Sequence, residues 1–262
     1  MSRLHRAYSA PDREWARNRF VLDERESHHL TKVLRLRKGD EVEVFNGRGE
    51  VRKTVLVDVV KHKVELESKE IIQLEESVPS FVLGVAVPKG KKMDEIVRQA
   101  TEMGVNRLVP LVTSRSETPN DQKRRASKLE RWRIAAIEAC KQSGNAFVPH
   151  IDSFRPLDDW LKGLSPSTFR IVASLEPDAQ PLRRWLTKEP SSSPPTQVVL
   201  LVGPEGDLSS EEYDQARAHR FLPCDLGENV LRVDTAVVCA FAIAKEEFRA
   251  YLDMPPVQPN EK

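Results

Sequence analysis

Polar and apolar positions alternate along Asp40-Glu41-Val42-Glu43-Val44-Phe45, and Asn46-Gly47 follows as a turn signal, which predicts a strand entering a hairpin. Val51, Val55, Val57, Val59, Val64 and Leu66 predict further short strands. Few helical signals interrupt residues 20–75, so this region reads as a small barrel or sandwich. Glu75 to Ser80 is a polar, proline-containing linker. Beyond it the period changes. Phe81 to Val87 is a strand. Met93, Ile96, Val97, Ala100 and Met103 mark one helical face, with Gly104 placed to end the helix. Val105 to Val112 completes a βαβ unit.

A second helix is predicted from about Ser127 to Ser143, stopping at Gly144. Strands follow at Phe169–Leu175 and Gln197–Val202, separated by a polar, proline-rich loop at Pro190–Thr196. The second strand is five consecutive apolar residues, Val198 to Val202, as suits a parallel strand covered on both faces. Ser209 and Glu212 form a capping box for the next helix. The last helix, Asp234 to about Leu252, begins apolar all round, so it must be buried within its domain or against another subunit. Asp234 is its expected N-cap. Two domains are expected, 1–76 and 77–262. The class is α/β, with a mainly parallel sheet preceded by a β-rich domain.

Composition narrows the chemistry. The chain has 262 residues, 41 Lys and Arg against 40 Asp and Glu, and a formal net charge of +1, which argues against a tail-driven nucleic-acid binder but leaves room for local basic faces. Three scattered cysteines, Cys140, Cys224 and Cys239, form no C-x-x-C pair and fit buried packing in a reducing cytoplasm. The first residues lack a secretory core, and no window is long and apolar enough for a membrane span. His28-His29 has no third ligand at a suitable spacing, so no metal is expected. Elbow, zincin and kinase motifs are absent.

Two loops stand out. The buried strand runs straight into Gly203-Pro204-Glu205-Gly206, and Leu226 to Ala236 precedes the last helix. The first fits neither a dinucleotide fingerprint nor a P-loop. It is either an ordinary strand-to-helix turn or a close backbone approach to a neutral or cationic ligand such as a nucleoside. Arg232 is either a binding or catalytic group or a structural partner of Asp234 or Glu205. Three basic clusters, residues 28–38, 88–92 and 123–125, are either solvated faces or contacts for a polyanion; on a nearly neutral chain they favour RNA phosphate.

Several motifs in order resemble one family. They are His28-His29-Leu30-x-x-Val33-Leu34-Arg35-Leu36, Lys92 to Val97 with Ala100 to Val105, Arg131-Trp132, Glu138-Ala139-x-x-Gln142-Ser143, Leu201 to Gly206, and Leu226-Gly227-x-x-Val230-Leu231-Arg232-x-x-Thr235-Ala236. Together they cover most of the chain and resemble the uridine-N3 methyltransferases of small-subunit ribosomal RNA, of the SPOUT (trefoil-knot) class. The resemblance implies a PUA-like β-barrel that grips RNA and an α/β domain with a deep knot, a topology that general connection rules would not suggest. It also implies bound S-adenosylmethionine, a homodimer, and methylation of N3 of a uridine (U1498) in 16S rRNA. The cofactor would be held by Leu175, Val202, Gly203, Pro204, Glu205, Gly206, Leu226, Gly227, Asn229, Val230 and Leu231, with Arg232 catalytic. RNA contacts are expected at His29, Lys32, Arg35, Arg37, Lys89 and Lys92. The chain departs from the family pattern at Asp207 (usually Gly), Gln99 (usually Lys) and Gly144-Asn145 (usually Arg after Gln-Ser). A non-catalytic RNA-binding or ribosome-assembly factor is the main rival reading. A nucleotide-dependent oxidoreductase is a weaker one, lacking the glycine fingerprint and its acidic partner.

Overall fold

A computed structural model describes residues 5–11, 18–188 and 195–252; most of the proline-rich loop expected at Pro190–Thr196 lies outside them. The chain divides into two compact units, Met1–Glu76 with Ala136–Val148, and Ser77–Ala135 with Pro149–Lys262.

In the first unit β1 (His5–Tyr8), β2 (Arg19–Val21), β3 (Glu41–Phe45), β4 (Glu50–Val60) and β5 (Lys63–Gln73) form one sheet in the order β1-β3-β4-β5-β2. Only β1 and β3 are parallel. The hairpin expected after Phe45 is present: Asn46 Oδ1 accepts from the backbone N–H groups of Arg48 and Glu50, and Phe45 pairs with Val51. The expected series of short strands is instead one long hairpin. Its two-residue turn, Lys61-His62, holds both residues at positive φ (48° and 68°) without a glycine or asparagine to mark it, so the sequence does not announce it. Bulges between Lys53 and Thr54 and between Leu56 and Asp58 bend β4.

A helical stretch also interrupts the β-rich region, contrary to expectation. It comprises α1 (Glu24–His28) and a π-helical turn, His29–Val33. Asp23 caps it, accepting from Glu26 N at 2.8 Å, and Leu30 on its inner side is fully buried with Ala7, Val42, Val44, Leu56 and Leu66. The opposite face of the sheet, through Phe45 and Val51, is covered by Cys140 and Ala146. Arg6 pairs with Glu43 and donates to the carbonyls of Cys140 and Asn145. Apolar burial and these charge-assisted bonds bring 136–148 into this unit.

The rest of the chain supplies β6 (Ser80–Ala86), α2 (Lys92–Glu102), β7 (Arg107–Val112), α3 (Gln122–Ser143, whose residues from Ala136 on belong to the first unit), β8 (His150–Ile151), β9 (Arg155–Pro156), α4 (Leu157–Lys162), β10 (Phe169–Ala173), α5 (Leu182–Lys188), β11 (Gln197–Val202), α6 (Ser210–Ala218), β12 (Leu222–Cys224) and α7 (Val233–Leu252), which otherwise make up the second unit. Its parallel sheet runs β12-β10-β11-β6-β7-β8, with β9 also on β7. The βαβ unit is β6–α2–β7, and Met93, Ile96, Val97 and Ala100 are buried as expected, the larger three worth about 1.5–3 kcal/mol each. Gly104, at φ 84°, ends α2, and Gly144, at φ 87°, follows α3, both backbone positions that favour glycine.

Helix α3 starts five residues before the expected Ser127. Asp121 accepts from the backbone N–H groups of Lys123 and Arg124. Lys123, Arg124 and Arg125 occupy the first turn, where the helix dipole disfavours cations, and that hid the start. Asp94 joins α2 to α3, accepting from Trp132 Nε1 at 2.8 Å and pairing with Arg131. The capping box of Ser209 and Glu212 is complete. Asp234 does not cap α7. The helix begins at Val233, and Asp234 lies in its first turn with Oδ1 buried and unbonded. Burial pushes the thiols of Cys140 and Cys224 up to about 12, as fits packing rather than nucleophilic roles.

Candidate active site

Parallel strands β10 and β11 end side by side at Ala173 and Val202. Ligands in open α/β sheets collect at such carboxyl ends. A cleft of about 290 Å³ opens there, floored by Ala173, Val202 and Gly203 and walled by the loop between β12 and α7 through Leu226, Gly227 and Leu231. Leu175 and Val230 stand on its rim, 60% and 79% exposed, an unusual amount of bare apolar surface beside a polar turn.

The turn after β11 is tightly determined. Asp207 N donates to Pro204 O, closing it. Gly203 is buried, and a Cβ there would lie 3.2 Å from Leu208 N and from Asp207 Oδ1. A side chain at Gly203 would therefore crowd the turn, and the glycine also leaves bare backbone facing the cleft. Gly227 sits at φ 126°, donating to Asp225 Oδ1, in open space. Its requirement is conformational rather than steric.

Charge within the cleft is arranged in two ways. Glu205 accepts from Lys89 N and pairs with Lys92 Nζ at 2.8 Å. Partial burial alone would raise its pKa, but these donors outweigh that and hold the carboxyl below the usual carboxylate range. These contacts fasten the turn to the start of α2 and to the segment just before it. Arg232 is exposed, lines the cleft, and has no ion pair among the described residues. Neither structural partner considered for it, Asp234 or Glu205, takes its guanidinium.

Of the residues expected to hold a cofactor, Leu175, Val202, Gly203, Pro204, Glu205, Leu226, Gly227, Asn229, Val230 and Leu231 all line this cleft, as does Arg232. Gly206 does not; its carbonyl accepts from Arg115, which also reaches Leu208 O. Ala173, Ser174, Asp207, Val233 and Ala236 line the cleft without having been expected to. The position of Ala173 and Ser174 was readable only from strand pairing. Arg115 carried no motif at all. Among the expected RNA contacts, Lys32, Arg35 and Arg37 are exposed on the first unit and His29 is half-buried there, while Lys89 and Lys92 belong to the second. Lys92 is at the cleft itself. Among the described residues no His, Cys, Asp and Glu cluster could hold a metal.

The fold and this cleft define an α/β domain that binds a small ligand at strand ends, joined to a mixed β unit. Residues 75–245 match the model of an RNA methyltransferase domain, and residues 22–67 that of an RNA methyltransferase PUA domain. Ribosomal RNA small subunit methyltransferase E of Synechocystis sp. is 33% identical, over 82% of this chain and 69% of that one. Its namesake in Bacillus subtilis is 29% identical, over 85% and 88%. A crystal structure of a ribosomal RNA small subunit methyltransferase E from Neisseria gonorrhoeae bound to S-adenosyl methionine superposes with a TM-score of 0.82 at 26% identity, covering 94% of this chain and 98% of that one. The chain belongs to the ribosomal RNA small subunit methyltransferase E family, with the SPOUT α/β fold and an N-terminal PUA domain.

Proposed function

We propose that this protein is an S-adenosylmethionine-dependent methyltransferase acting on N3 of a uridine in 16S rRNA, the position implied by the family being U1498. The reading rests most on one observation: Arg232, a guanidinium without an ion partner among the described residues, faces a cleft in which Lys92 and Glu205 already satisfy each other. The cleft suits an adenosine-bearing ligand. Bare backbone at Gly203 permits close approach, and the exposed Leu175 and Val230 offer apolar cover for a base.

When bound, the cofactor supplies an electrophilic methyl group on a sulfonium. Transfer forms an N3–carbon bond and breaks the sulfur–carbon bond, while the N3 proton leaves to solvent or a base. As that proton leaves, negative charge spreads over the flanking carbonyl oxygens of the uracil. Arg232 stabilises this charge as an oxyanion donor does. The turn at 203–207 and the loop at 225–232 fix the geometry that an in-line transfer requires. Watson–Crick pairing hides N3, so the target base must be unpaired or flipped out.

The unit assigned here to RNA is 1–76, through His29, Lys32, Arg35 and Arg37, with Lys89 and Lys92 contributing from 77–262. The working form is a homodimer. What supports this is α7: Ala242 is exposed and Val238, Cys239 and Ile243 are incompletely covered, on a helix whose first half is almost wholly apolar. Among the described residues no helix is long and apolar enough to cross a membrane, and a cytoplasmic site of action fits an rRNA substrate.

Nucleoside mass spectrometry of rRNA from cells lacking the gene tests the proposal. Loss of 3-methyluridine alone, restored by the wild-type gene, is the expected result. An unchanged modification profile overturns it.

A further inference from the structure

Resting on the reading of the cleft as a cofactor site, we propose that Asp207 recognises the cationic part of the cofactor, so that its charge sets the preference for a positively charged ligand over a neutral one. Asp207 stands at φ 62°, where only Gly, Asn and Asp sit with little strain. Of those three this chain carries the one with a negative charge. Its Oδ1 accepts from Leu208 N at 2.8 Å and from Tyr213 Oη at 2.9 Å. These two bonds fix the carboxylate's orientation. No hydrogen bond or ion pair among the described residues uses Oδ2, although the residue lines the cleft.

Charge counting points the same way. Four charged side chains line the cleft: Lys92, Glu205, Asp207 and Arg232. Lys92 and Glu205 satisfy each other, which leaves one carboxylate and one guanidinium without ion partners among the described residues. A ligand with a cation for Asp207 leaves Arg232 for the charge that develops on the uracil. The cofactor offers two cations, a sulfonium and an α-ammonium, and either supplies the chemistry Asp207 would recognise.

The replacement Asp207→Asn isolates the charge. Asn tolerates the same backbone conformation, and its carbonyl oxygen still accepts from Leu208 and Tyr213. Calorimetry on the full-length wild type and D207N would compare S-adenosylmethionine, S-adenosylhomocysteine (ammonium only) and 5′-methylthioadenosine (neither cation). The expected result is about a tenfold loss of S-adenosylmethionine affinity, the size of one charge-assisted contact, with methylthioadenosine unchanged. A matching loss for S-adenosylhomocysteine assigns the ammonium; none assigns the sulfonium. Equal loss for all three ligands, or no loss for S-adenosylmethionine, overturns the inference, the former by showing a merely structural role. Wild-type protein that binds no S-adenosylmethionine would instead overturn the cofactor reading on which the inference stands. Unchanged thermal unfolding of D207N confirms that the variant folds.

Discussion

Two side chains in the cleft carry separable jobs. Arg232 has no ion partner among the described residues, so Arg232→Ala leaves the rest of the pocket walls in place. Methyl transfer in single-turnover assays should fall about 10²–10³-fold, as when an oxyanion donor is removed. Cofactor affinity should stay within a few-fold, and wild-type turnover in this variant would refute the assignment. Glu205 works through charge pairing with Lys92 and Lys89 N, and its pKa is depressed. A depressed carboxyl stabilises the folded turn at pH values above its unfolded pKa, and that contribution fades as pH falls through the lower, folded pKa. Cofactor affinity should therefore be flat from about pH 8 to pH 5 and weaken only below about pH 4, near and under the ordinary glutamate range. A loss centred near neutrality would mean that another group controls the turn. Both residues were visible in the sequence as candidates. What could not be read there was which of the two was already neutralised, because Lys92 lies 113 positions away along the chain.

At the scale of elements, the strand that centres the sheet has a narrow tolerance. Gly84 of β6 faces Trp160 of α4, and a Cβ on Gly84 would run into the indole ring. Trp160 in turn packs on Phe221, with ring centroids 5.8 Å apart. Gly84→Ala should cost about 1–3 kcal/mol by overpacking. It should lower the guanidinium midpoint without changing the slope, and Trp160→Phe in the same background should recover part of the loss. An unchanged midpoint would show that the α4 packing yields freely. Periodicity located α2, β6 and β11 well, because α2 carries an apolar stripe at helical spacing and the two strands carry nearly unbroken apolar runs. It failed where the signal is non-local. The start of α3 is set by Asp121 against an adverse basic first turn, and β8, β9 and β12 are only two or three residues long, defined by their partners.

For the whole molecule, the proposed dimer is tested by its mass. If α7 forms the proposed dimer face, sedimentation equilibrium should give twice the chain mass. Ala242→Arg, which adds a charge at an exposed position of that helix, should shift the protein to monomer and reduce methylation in parallel. A monomeric wild type with full activity would remove the dimer from the proposal. The sequence by itself determined the periodic elements and the loops carrying Gly203 and Arg232, since hydrophobic period and turn chemistry are local properties of a chain. Only the tertiary structure decided that residues 136–148 belong with the β-rich unit. It alone brought Ser174 and Val202 into one cleft, paired Glu205 with Lys92, and left Arg232 and Asp207 there without ion partners among the described residues. Those outcomes depend on which distant groups meet, and neither spacing nor propensity encodes distance through space.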